Sequence, residues 1–417
     1  MNPSKDITGT YGDYLKDTRI ALCITGSVAA YKAVDLARRL MRYGADVVPF
    51  MTEAATKIIS PDLMHWATGN KPVTELTGDI EHVMFGGQYH GRADLILIYP
   101  ATANTIAKLA AGIADTPVAA LAITALGSNI PIIVVPAMHL PLYVSQATQD
   151  NINRLRELGI DVVEPLIEEG KAKIPDIDLI TDHVITTLNR GRGMYSGKNA
   201  LVLGGPTIEY IDPVRIITNL SSGRMALEIA KAFRWMGGDV KLIYGPGTVD
   251  IPSYIPKTQV YTTREMFDAT KDELGERHYN YVFIAAAPAD YRPVEPVGEK
   301  LSTSRVKRFS IELVETEKIS DMIKTISPDS FLVIFKAEYN VSRDELIERA
   351  YRKLMESNAD LVVANDVSRP ETGFRSRYNE VLIIDRDKNV IHIPLTSKNV
   401  IARRLLDIVA EKTIASK

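Results

Sequence analysis

The chain has only one cysteine, Cys23, among its 417 residues. A single thiol excludes both an intramolecular disulfide framework and a zinc site built from several cysteines, and it is typical of a reducing compartment. Basic residues are not in excess, since 49 Lys and Arg stand against 52 Asp and Glu and give a net charge of −3. Such a chain has no dominant attraction to phosphate backbones or anionic lipid, so we expect neither nucleic acid nor a membrane as a partner.

Long apolar segments are also scarce. Residues 1–18 are a polar, charged N-terminal tail, which is not the pattern of a signal peptide or an anchor, and we therefore expect a cytoplasmic protein. Residues 116–149 carry no formal charge, but the sequence Gly-Ser-Asn-Ile-Pro at 127–131 interrupts them. This pattern predicts an apolar helix followed by a buried strand rather than a membrane span.

Short β-branched runs such as RIALCIT and DLILIYP alternate with helical patterns along the sequence. Such runs are typical of a parallel sheet that is covered by helices on both faces. A stretch rich in glycine and polar residues then precedes ALVLGG, where the same alternation begins again, and EVLIIDRDKNVIHIPL predicts a late β-hairpin. We predict an α/β protein with two tandem doubly wound domains, at 19–190 and 199–417, joined by a linker at 191–198.

Three segments of the first domain directly follow predicted strands, where doubly wound sheets bind their ligands. Gly26 allows a tight turn, and Ser27 either caps the next helix or binds a phosphate through its hydroxyl group. Residues 100–105 are small and polar, so a flat ring could approach their backbone, although such a loop also begins ordinary capped helices. The third segment is Pro-Ala-Met-His at 136–139.

These segments, above all PATANT followed by IAKLAAGIAD, resemble the flavin-dependent cysteine decarboxylases over residues 19–190. The resemblance implies a flavodoxin-like flavoprotein domain that binds FMN. The residues that match the cofactor-binding positions of the family are Gly26, Ser27, Thr52, Thr102, Ala103, Asn104, Thr105 and Met138.

The same family has a catalytic histidine shortly before the strand that begins with Ala-Asp-Leu. His82 matches this position best, and His90 is the alternative because the sequence GGQYHG separates His82 from that strand by more residues than is common. Histidine titrates near neutral pH and therefore suits removal of a proton from a substrate thiol or carboxyl group.

Two positions depart from the family pattern. His139 stands where the family has an asparagine that binds the substrate carboxylate, and a histidine can still donate a hydrogen bond there. Residues 169–175 match the substrate clamp but lack the cysteine that donates a proton in the final reduction. Lys171, Lys173 or water would then supply this proton, or the domain works differently. Cys23 lies within a predicted strand and is expected to be a buried apolar residue.

The second domain has its own candidate anion site. NLSSGRM opens a predicted helix, and two serines, a glycine and an arginine at a helix N-terminus combine free amides, the helix dipole and a guanidinium group. An NAD-dependent dehydrogenase is disfavoured because the sequence Gly-x-Gly-x-x-Gly is missing.

The ordered motifs GGPTxExxDPVRxIxNxSSGxM, AAxADYRP and ANDVSxPxTGF resemble the phosphopantothenate–cysteine ligases over residues 199–410. Together the two halves resemble the bifunctional phosphopantothenoylcysteine decarboxylase/phosphopantothenate–cysteine ligases of coenzyme A biosynthesis. The resemblance implies a Rossmann-like ligase domain in which Lys300 helps to form an acyl-nucleotide intermediate and Asn219 helps to convert it into product. The matching substrate-binding residues are Arg215, Ser221, Ser222, Gly223, Arg224, Ala285, Ala286, Asp290, Phe335 and Lys353, and Asp290 is also a candidate Mg²⁺ ligand.

The resemblance implies ligation of 4′-phosphopantothenate with cysteine by means of CTP and an acyl-cytidylate, followed by FMN-dependent decarboxylation of the product. Ser357 stands where the family often has a further basic residue, which leaves strict preference for CTP open. The alternative is an active ligase whose degenerate flavin domain has a regulatory or scaffold function. Small molecules are the expected partners, and the family implies a homo-oligomer with trimeric flavin domains and dimeric ligase domains.

Overall fold

The structure is a computed structural model that describes residues 3–300, 308–369, 373 and 375–414. The chain divides into two compact units, Met1–Leu188 and Asn189–Lys417. This division falls at the end of a helix and directly precedes the stretch interpreted as a linker, 191–198.

The first unit is built on a parallel five-stranded sheet with the strand order β2-β1-β3-β4-β6. Strand β1 pairs with both of its neighbours, since Ile20 lies opposite Val47 of β2 on one side and Leu95 of β3 on the other. All seven residues of β3 are buried, as expected for a strand that is covered on both faces. This is the flavodoxin-like order, and it confirms the predicted doubly wound fold. The strands of this unit are β1 Arg19–Ile24, β2 Asp46–Met51, β3 Leu95–Ala101, β4 Ile132–Pro136, β5 Met138–His139, β6 Asp161–Val162, β7 Leu166–Glu168 and β8 Lys171–Lys173.

Polar caps begin most of the helices around this sheet. The side chains of Thr52, Ser60, Thr102, Thr116 and Ser145 each accept a hydrogen bond from a backbone amide of the first helical turn. The helices are α1 Ala33–Arg42, α2 Glu53–Thr56, α3 Pro61–Thr68, α4 Glu81–Gly86, α5 Ala103–Ala111, α6 Pro117–Gly127, α7 Leu140–Tyr143, α8 Gln146–Glu157 and α9 Ile177–Asn189, with 3-10 turns at Pro3–Ile7 and Val28–Lys32.

Two segments of the first unit bear on the expectations drawn from the sequence. The uncharged stretch contains α6 and β4, and within the described part of the chain no helix is long and apolar enough to cross a membrane. The N-terminal segment packs against the unit, because the side chain of Leu15 is fully buried and Lys5 Nζ lies 3.1 Å from Asp46 Oδ1.

The second unit contains an eight-stranded sheet with the order β13-β12-β9-β14-β17-β18-β19-β20. The first six positions follow the Rossmann order, and the last two strands are antiparallel and form the predicted hairpin. The strands are β9 Asn199–Gly204, β10 Ile208–Tyr210, β11 Ile216–Thr218, β12 Asp239–Tyr244, β13 Lys257–Gln259, β14 Tyr281–Ile284, β15 Tyr291–Pro293, β16 Leu313–Glu315, β17 Phe331–Glu338, β18 Leu361–Asp366, β19 Tyr378–Asp385 and β20 Val390–Ser397.

The helices that cover this sheet are α10 Arg224–Trp235, α11 Thr263–Glu276, α12 Ile319–Ile326, α13 Arg343–Glu356 and α14 Lys398–Ile414. One face of the sheet packs in an apolar cluster with α11, α12 and α13, which includes Met266, Ile323 and Leu354. Helices α10 and α14 pack against each other. Two short antiparallel ribbons, β10–β11 and β15–β16, lie outside the main sheet.

Candidate active sites

In the first unit, the loops that follow β1 and β3 are joined by one buried side chain. Thr25 Oγ1 donates a hydrogen bond to the carbonyl oxygen of Pro100 at 2.7 Å and accepts one from the amide of Thr102 at 3.0 Å. These loops meet where the strand order of the sheet reverses, and flavodoxin-like folds bind ligands at this point. Thr25 therefore holds the two walls of a crevice in register.

Gly26 and Ser27 form one wall of this crevice. A Cβ atom on Gly26 would lie 2.5 Å from the Cβ of Ala54, so only glycine allows α2 to approach this turn. Among the described residues, the hydroxyl group of Ser27 makes no capping hydrogen bond to the following 3-10 turn, so it is a candidate contact for a ligand. Thr52 lies at the end of the adjacent strand, where its amide donates to the carbonyl of Ile24 at 3.1 Å.

The loop after β3 forms the opposite wall. Thr102 caps α5 by accepting a hydrogen bond from the amide of Thr105 at 3.4 Å, and the two hydroxyl groups lie 3.2 Å apart. Asn104 is exposed, and the amide of Ala137 donates to the carbonyl of Ala101 at 3.0 Å, which places Met138 beside this loop. The predicted cofactor-binding residues thus come together at one sheet edge, and their hydroxyl and amide groups suit a phosphate and the polar edge of a flavin ring.

His139 and the predicted clamp lie in one small antiparallel sheet, β5-β8-β7. His139 is paired with Lys171 in the strand register, and both side chains are exposed. Lys173 Nζ instead lies 2.7 Å from Glu169 Oε2, and this hydrogen bond raises the pKa of Lys173. The ammonium group of Lys173 is thus held by carboxylates of its own hairpin, whereas the described contacts include no such ion pair for Lys171.

The two candidate histidines have different environments. His82 is in α4, where its Nδ1 atom is buried and has no hydrogen-bond partner among the described residues, while His90 is in an exposed loop. A buried ring nitrogen without a partner is unusual in folded proteins. The described contacts include no hydrogen bond from His82 to the crevice loops. Cys23 is fully buried, and desolvation raises the pKa of its thiol, so it is an inert core residue.

The second unit has a cleft of about 570 Å³ at the carboxyl ends of β9 and β14, where its strand order also reverses. Ten of the predicted residues line it. Five come from the segment that leads into α10, namely Asn219, Ser221, Ser222, Gly223 and Arg224. The other five follow β14 or lie on β17 and α13, namely Ala285, Ala286, Asp290, Phe335 and Lys353.

The start of α10 has the geometry of an anion site. Gly223 has a φ of +77°, and a Cβ atom there would lie 2.0 Å from the hydroxyl oxygen of Tyr244, so this turn requires glycine. Ser221 Oγ accepts a hydrogen bond from the amide of Gly223 at 3.3 Å, and Ser222 Oγ accepts one from the amide of Arg224 at 3.4 Å. These contacts fix amides and hydroxyl groups at the positive end of the helix dipole.

Two further polar groups of the cleft are held by specific contacts. Asn219 Nδ2 donates to the carbonyl oxygens of Pro288 at 2.9 Å and Ala287 at 3.3 Å, which fixes the orientation of its amide group. Asp290 is exposed and its carboxylate lies 2.9 Å from Lys318 Nζ, a hydrogen bond that raises the pKa of the lysine. The described residues include no cluster of three or more His, Cys, Asp or Glu that could hold a metal ion.

The structure does not bring two of the predicted residues into this cleft. The carboxylate of Asp212 is fully buried and pairs with the guanidinium group of Arg215, so the arginine compensates a buried charge instead of facing the cleft. Lys300 is exposed and is not among the described residues that line the cleft. It directly precedes residues 301–307, which lie outside the described part of the chain. Ser357 is buried, and its hydroxyl donates to the carbonyl of Lys353 at 2.7 Å, which closes the end of α13.

Other residues line the cleft without having been predicted. They include three cations, Lys318, Lys336 and Lys398, and two amides, Asn365 and Asn379. Lys336 lies in the FLVIFKA run, and Asn365 lies in the ANDVS motif. Their positions near the ends of predicted strands could therefore have indicated that they line the cleft. Lys398 is the first residue of the last long helix, and no local pattern marks it as a cleft residue.

Comparison with known proteins agrees with this division of the chain. The family model described as Flavoprotein matches residues 9–189, and the model described as DNA/pantothenate metabolism flavoprotein C-terminal domain matches residues 195–413. A coenzyme A biosynthesis bifunctional protein of Thermococcus kodakarensis is 42% identical over 404 residues, which covers 97% of each chain. This chain belongs to the coenzyme A biosynthesis bifunctional protein family.

A second member of the family, from Methanocaldococcus jannaschii, is 36% identical and covers 93% of this chain and 92% of its own. Among solved structures, the C-terminal domain of a coenzyme A biosynthesis bifunctional protein is 30% identical, with a TM-score of 0.44, and covers 54% of this chain and 99% of its own. The family match extends over both units, and the resemblance seen in the motifs is thus confirmed for the whole chain.

Proposed function

We propose that this chain catalyses two successive steps of coenzyme A biosynthesis. The second unit joins 4′-phosphopantothenate to cysteine with CTP, and the first unit decarboxylates the resulting 4′-phosphopantothenoylcysteine to 4′-phosphopantetheine with FMN. The observation that carries this proposal is the gathering of ten predicted site residues around one cleft, in a chain that matches bifunctional relatives along almost its full length.

A free carboxylate is a poor acyl donor, so the ligase reaction needs activation of this group. A carboxylate oxygen of phosphopantothenate attacks the α-phosphorus of CTP, and pyrophosphate leaves. The amine of cysteine then attacks the acyl carbon, and CMP leaves with the electrons of the broken C–O bond. The amides at the start of α10 and the guanidinium group of Arg224 suit the phosphoryl charge that develops in the first step.

Asn219 has the position of a group that serves the second step. Its amide nitrogen is engaged by two backbone carbonyls, so the amide oxygen remains as an acceptor for the amine of cysteine. Lys300 would help to form the acyl-cytidylate in the first step, as the family resemblance implies. It lies directly before residues 301–307.

The donor set of the cleft fits Mg²⁺ only as a metal that is bound mainly by substrate. Mg²⁺ in nucleotide sites commonly takes one or two carboxylates together with phosphate oxygens and water, and Asp290 is the carboxylate that the motif provides. The carboxylate of Asp290 would then contact the metal instead of Lys318, and the ammonium group of Lys318 would be free to bind the phosphates.

In the first unit, the hydroxyl and amide groups of Ser27, Thr52 and the loop at 102–105 would hold FMN. Bound FMN supplies the oxidation of the thiol-bearing carbon that allows the neighbouring carboxylate to leave as CO₂. His82 would remove the proton from the substrate, as the family motif that it matches implies. His139 and Lys171 would bind the substrate carboxylate and return a proton.

The ligase half is tested by pyrophosphate release from the purified protein. Sustained release over many turnovers is expected only when CTP, phosphopantothenate and cysteine are present together, whereas CTP and phosphopantothenate without cysteine should give at most about one pyrophosphate per active site. Replacing CTP by ATP measures how strictly the nucleotide is chosen. Pyrophosphate release that does not depend on phosphopantothenate would contradict the proposed ligase.

The flavin half is tested by absorption spectroscopy and by CO₂ release from synthetic 4′-phosphopantothenoylcysteine. We expect His82→Ala to abolish CO₂ release while FMN stays bound, and His90→Ala to keep it. A wild-type protein that retains no flavin absorption after incubation with FMN and removal of the free cofactor would contradict the proposed decarboxylase and favour the alternative of a degenerate flavin unit.

We also propose that the enzyme is cytoplasmic and assembles through trimers of its first unit and dimers of its second. Light scattering coupled to size-exclusion chromatography tests the assembly, and a monomer at micromolar concentration would contradict it.

A further inference from the structure

Thr207 is a buried residue that joins two walls of the ligase cleft without lining it. Its side chain is fully buried shortly after the end of β9, and it is not among the described residues of the cleft lining. Its hydroxyl oxygen accepts a hydrogen bond from the amide of Ala289 at 2.8 Å and lies 2.7 Å from the hydroxyl oxygen of Thr263, the first residue of α11. Thr207 therefore connects β9 and α11 to the loop that follows β14.

The donors and acceptors of this cluster follow from a count of hydrogens. Thr263 Oγ1 donates to the carbonyl of Ala289 at 3.4 Å, so the single hydroxyl hydrogen of Thr207 is the one shared with Thr263 Oγ1. The amide of Thr263 in turn donates to Glu209 Oε1 at 2.9 Å, which fixes this end of the cluster. A residue without a hydroxyl group at position 207 would deprive the buried amide of Ala289 of its acceptor, and buried amides are rarely left unpaired.

The contacts of Asn219 close this arrangement into a ring. Asn219 Nδ2 donates to the carbonyls of the two residues that precede Ala289, at 3.3 and 2.9 Å. Thr218, directly before Asn219, donates its hydroxyl hydrogen to the carbonyl of Thr207 at 2.7 Å. A continuous path of hydrogen bonds and short backbone segments thus runs from Thr207 to Ala289, on to the amide group of Asn219, and back to Thr207.

The part of the loop that carries Asp290 has a separate support. Thr316 Oγ1 donates to the carbonyl of Ala289 at 2.6 Å, and the amide of Thr316 donates to the carbonyl of Asp290 at 3.0 Å. Loss of the Thr207 hydroxyl group would therefore disturb the carbonyls that orient Asn219 more than it disturbs Asp290.

We propose that Thr207 is a positioning residue that holds the amide group of Asn219 in the orientation needed for the attack of cysteine. This inference rests on the proposed ligase function, in which Asn219 serves the second step. Because Thr207 is fully buried outside the cleft lining, it acts through the loop carbonyls that hold the amide nitrogen of Asn219. A small displacement of such a group slows a reaction strongly, since the reacting atoms must meet within narrow limits of distance and angle.

The test measures the two half-reactions of the full-length protein separately by rapid quench. Formation of the acyl-cytidylate is followed with CTP and phosphopantothenate, and its consumption is followed after cysteine is added. Thr207→Val keeps the shape but removes the hydroxyl group, and it is expected to slow consumption about 10- to 100-fold while formation stays within about threefold of the wild type. Thr207→Ser keeps the hydroxyl group and is expected to consume the intermediate within about threefold of the wild-type rate.

Two comparisons separate positioning from a general loss of stability. The matched control is Thr270→Val in α11, where a fully buried hydroxyl group donates to the carbonyl of Met266 at 2.6 Å outside the cleft lining. This change is expected to lower the urea midpoint without slowing consumption. In an Asn219→Ala background, Thr207→Val is expected to slow consumption no further, because a residue that acts through Asn219 then has no group left to position.

Thr218→Val breaks the ring at an exposed residue and keeps the test open if Thr207→Val does not fold. It is expected to slow consumption about 3- to 10-fold with little effect on formation. Urea unfolding followed by circular dichroism reports the stability of each variant.

Four results would overturn the proposal. They are consumption by Thr207→Val, or by Thr218→Val in its place, at the wild-type rate; Thr207→Ser as slow as Thr207→Val; equal slowing by Thr270→Val; and further slowing in the Asn219→Ala background. A wild-type protein that forms no acyl-cytidylate from CTP and phosphopantothenate would overturn the proposed ligase itself. Normal ligation by the wild type together with any of the four results overturns only the assignment of Thr207.

Discussion

The substitution Gly223→Ala tests how strictly the backbone at the start of α10 determines the ligase site. Alanine at a φ of +77° is strained by about 1–2 kcal/mol. Its Cβ atom would also lie 2.0 Å from the hydroxyl oxygen and 2.6 Å from two ring carbons of Tyr244. Tyr244 is 3% exposed and its hydroxyl lies 3.1 Å from the carbonyl of Ser222, so the ring cannot move aside freely.

Relieving an overlap of this kind in a packed interior typically costs about 1–3 kcal/mol. The variant is therefore expected to lose about 2–5 kcal/mol of unfolding free energy and to bind CTP more than about tenfold more weakly, because Ser222 and Arg224 move with the turn. Urea unfolding followed by circular dichroism measures the first effect and calorimetry measures the second.

The matched control is Gly275→Ala in α11, where a Cβ atom meets nothing within 4 Å. This change is expected to stabilise the protein by about 0.5–1 kcal/mol, since alanine is the better helix residue. Flavin binding by the first unit should be the same in both variants. A Gly223→Ala protein that unfolds at the wild-type urea concentration and binds CTP normally would refute the reasoning.

Three further predictions concern single residues. Gly26→Ala should weaken FMN binding by about tenfold or more, because the added Cβ atom displaces α2. The control Gly127→Ala, whose Cβ atom meets nothing within 4 Å, should bind FMN as the wild type does. Equal FMN affinities of the two variants would contradict this prediction. Asn219→Ala should still release pyrophosphate but form phosphopantothenoylcysteine at least about 100-fold more slowly, as rapid-quench measurements would show. Lys398→Met should stabilise the ligand-free protein near pH 7 by up to about 3 kcal/mol, because the lowered pKa of Lys398 reflects an unfavourable buried charge in the folded state. This gain in unfolding free energy is present below about pH 8 and disappears as the pH rises toward 10.5, the ordinary pKa of lysine. Melting curves in which Lys398→Met is still more stable than the wild type at high pH would contradict the prediction.

Much of the ligase cleft was predictable because its residues follow strands. In doubly wound sheets the carboxyl ends of the strands meet at one edge, so motifs that follow β9 and β14 had to converge there. The same rule brought Ser27, Thr52 and Thr102 together in the first unit.

The remaining features depend on packing that the sequence does not display. Arg215 stands in the motif that resembles the ligase family, yet the fully buried carboxylate of Asp212 holds it, and no local pattern shows that Asp212 is buried. Lys398 was missed because its burial arises from the packing of α14 against α10, two helices that lie far apart in the sequence. The engagement of Lys173 by Glu169 likewise depends on the positive φ of 48° at Glu169, which turns the hairpin.

The central claim is that one chain forms phosphopantothenoylcysteine and then decarboxylates it. The most direct measurement follows CO₂ release from cysteine that carries a radiolabel in its carboxyl group, with FMN-loaded protein, CTP and phosphopantothenate. We predict labelled CO₂ only when CTP and phosphopantothenate are both present, and none from the His82→Ala variant, which should accumulate labelled phosphopantothenoylcysteine. Labelled CO₂ without CTP, or full conversion of cysteine into the ligated product with no CO₂ from the wild type, would contradict the account.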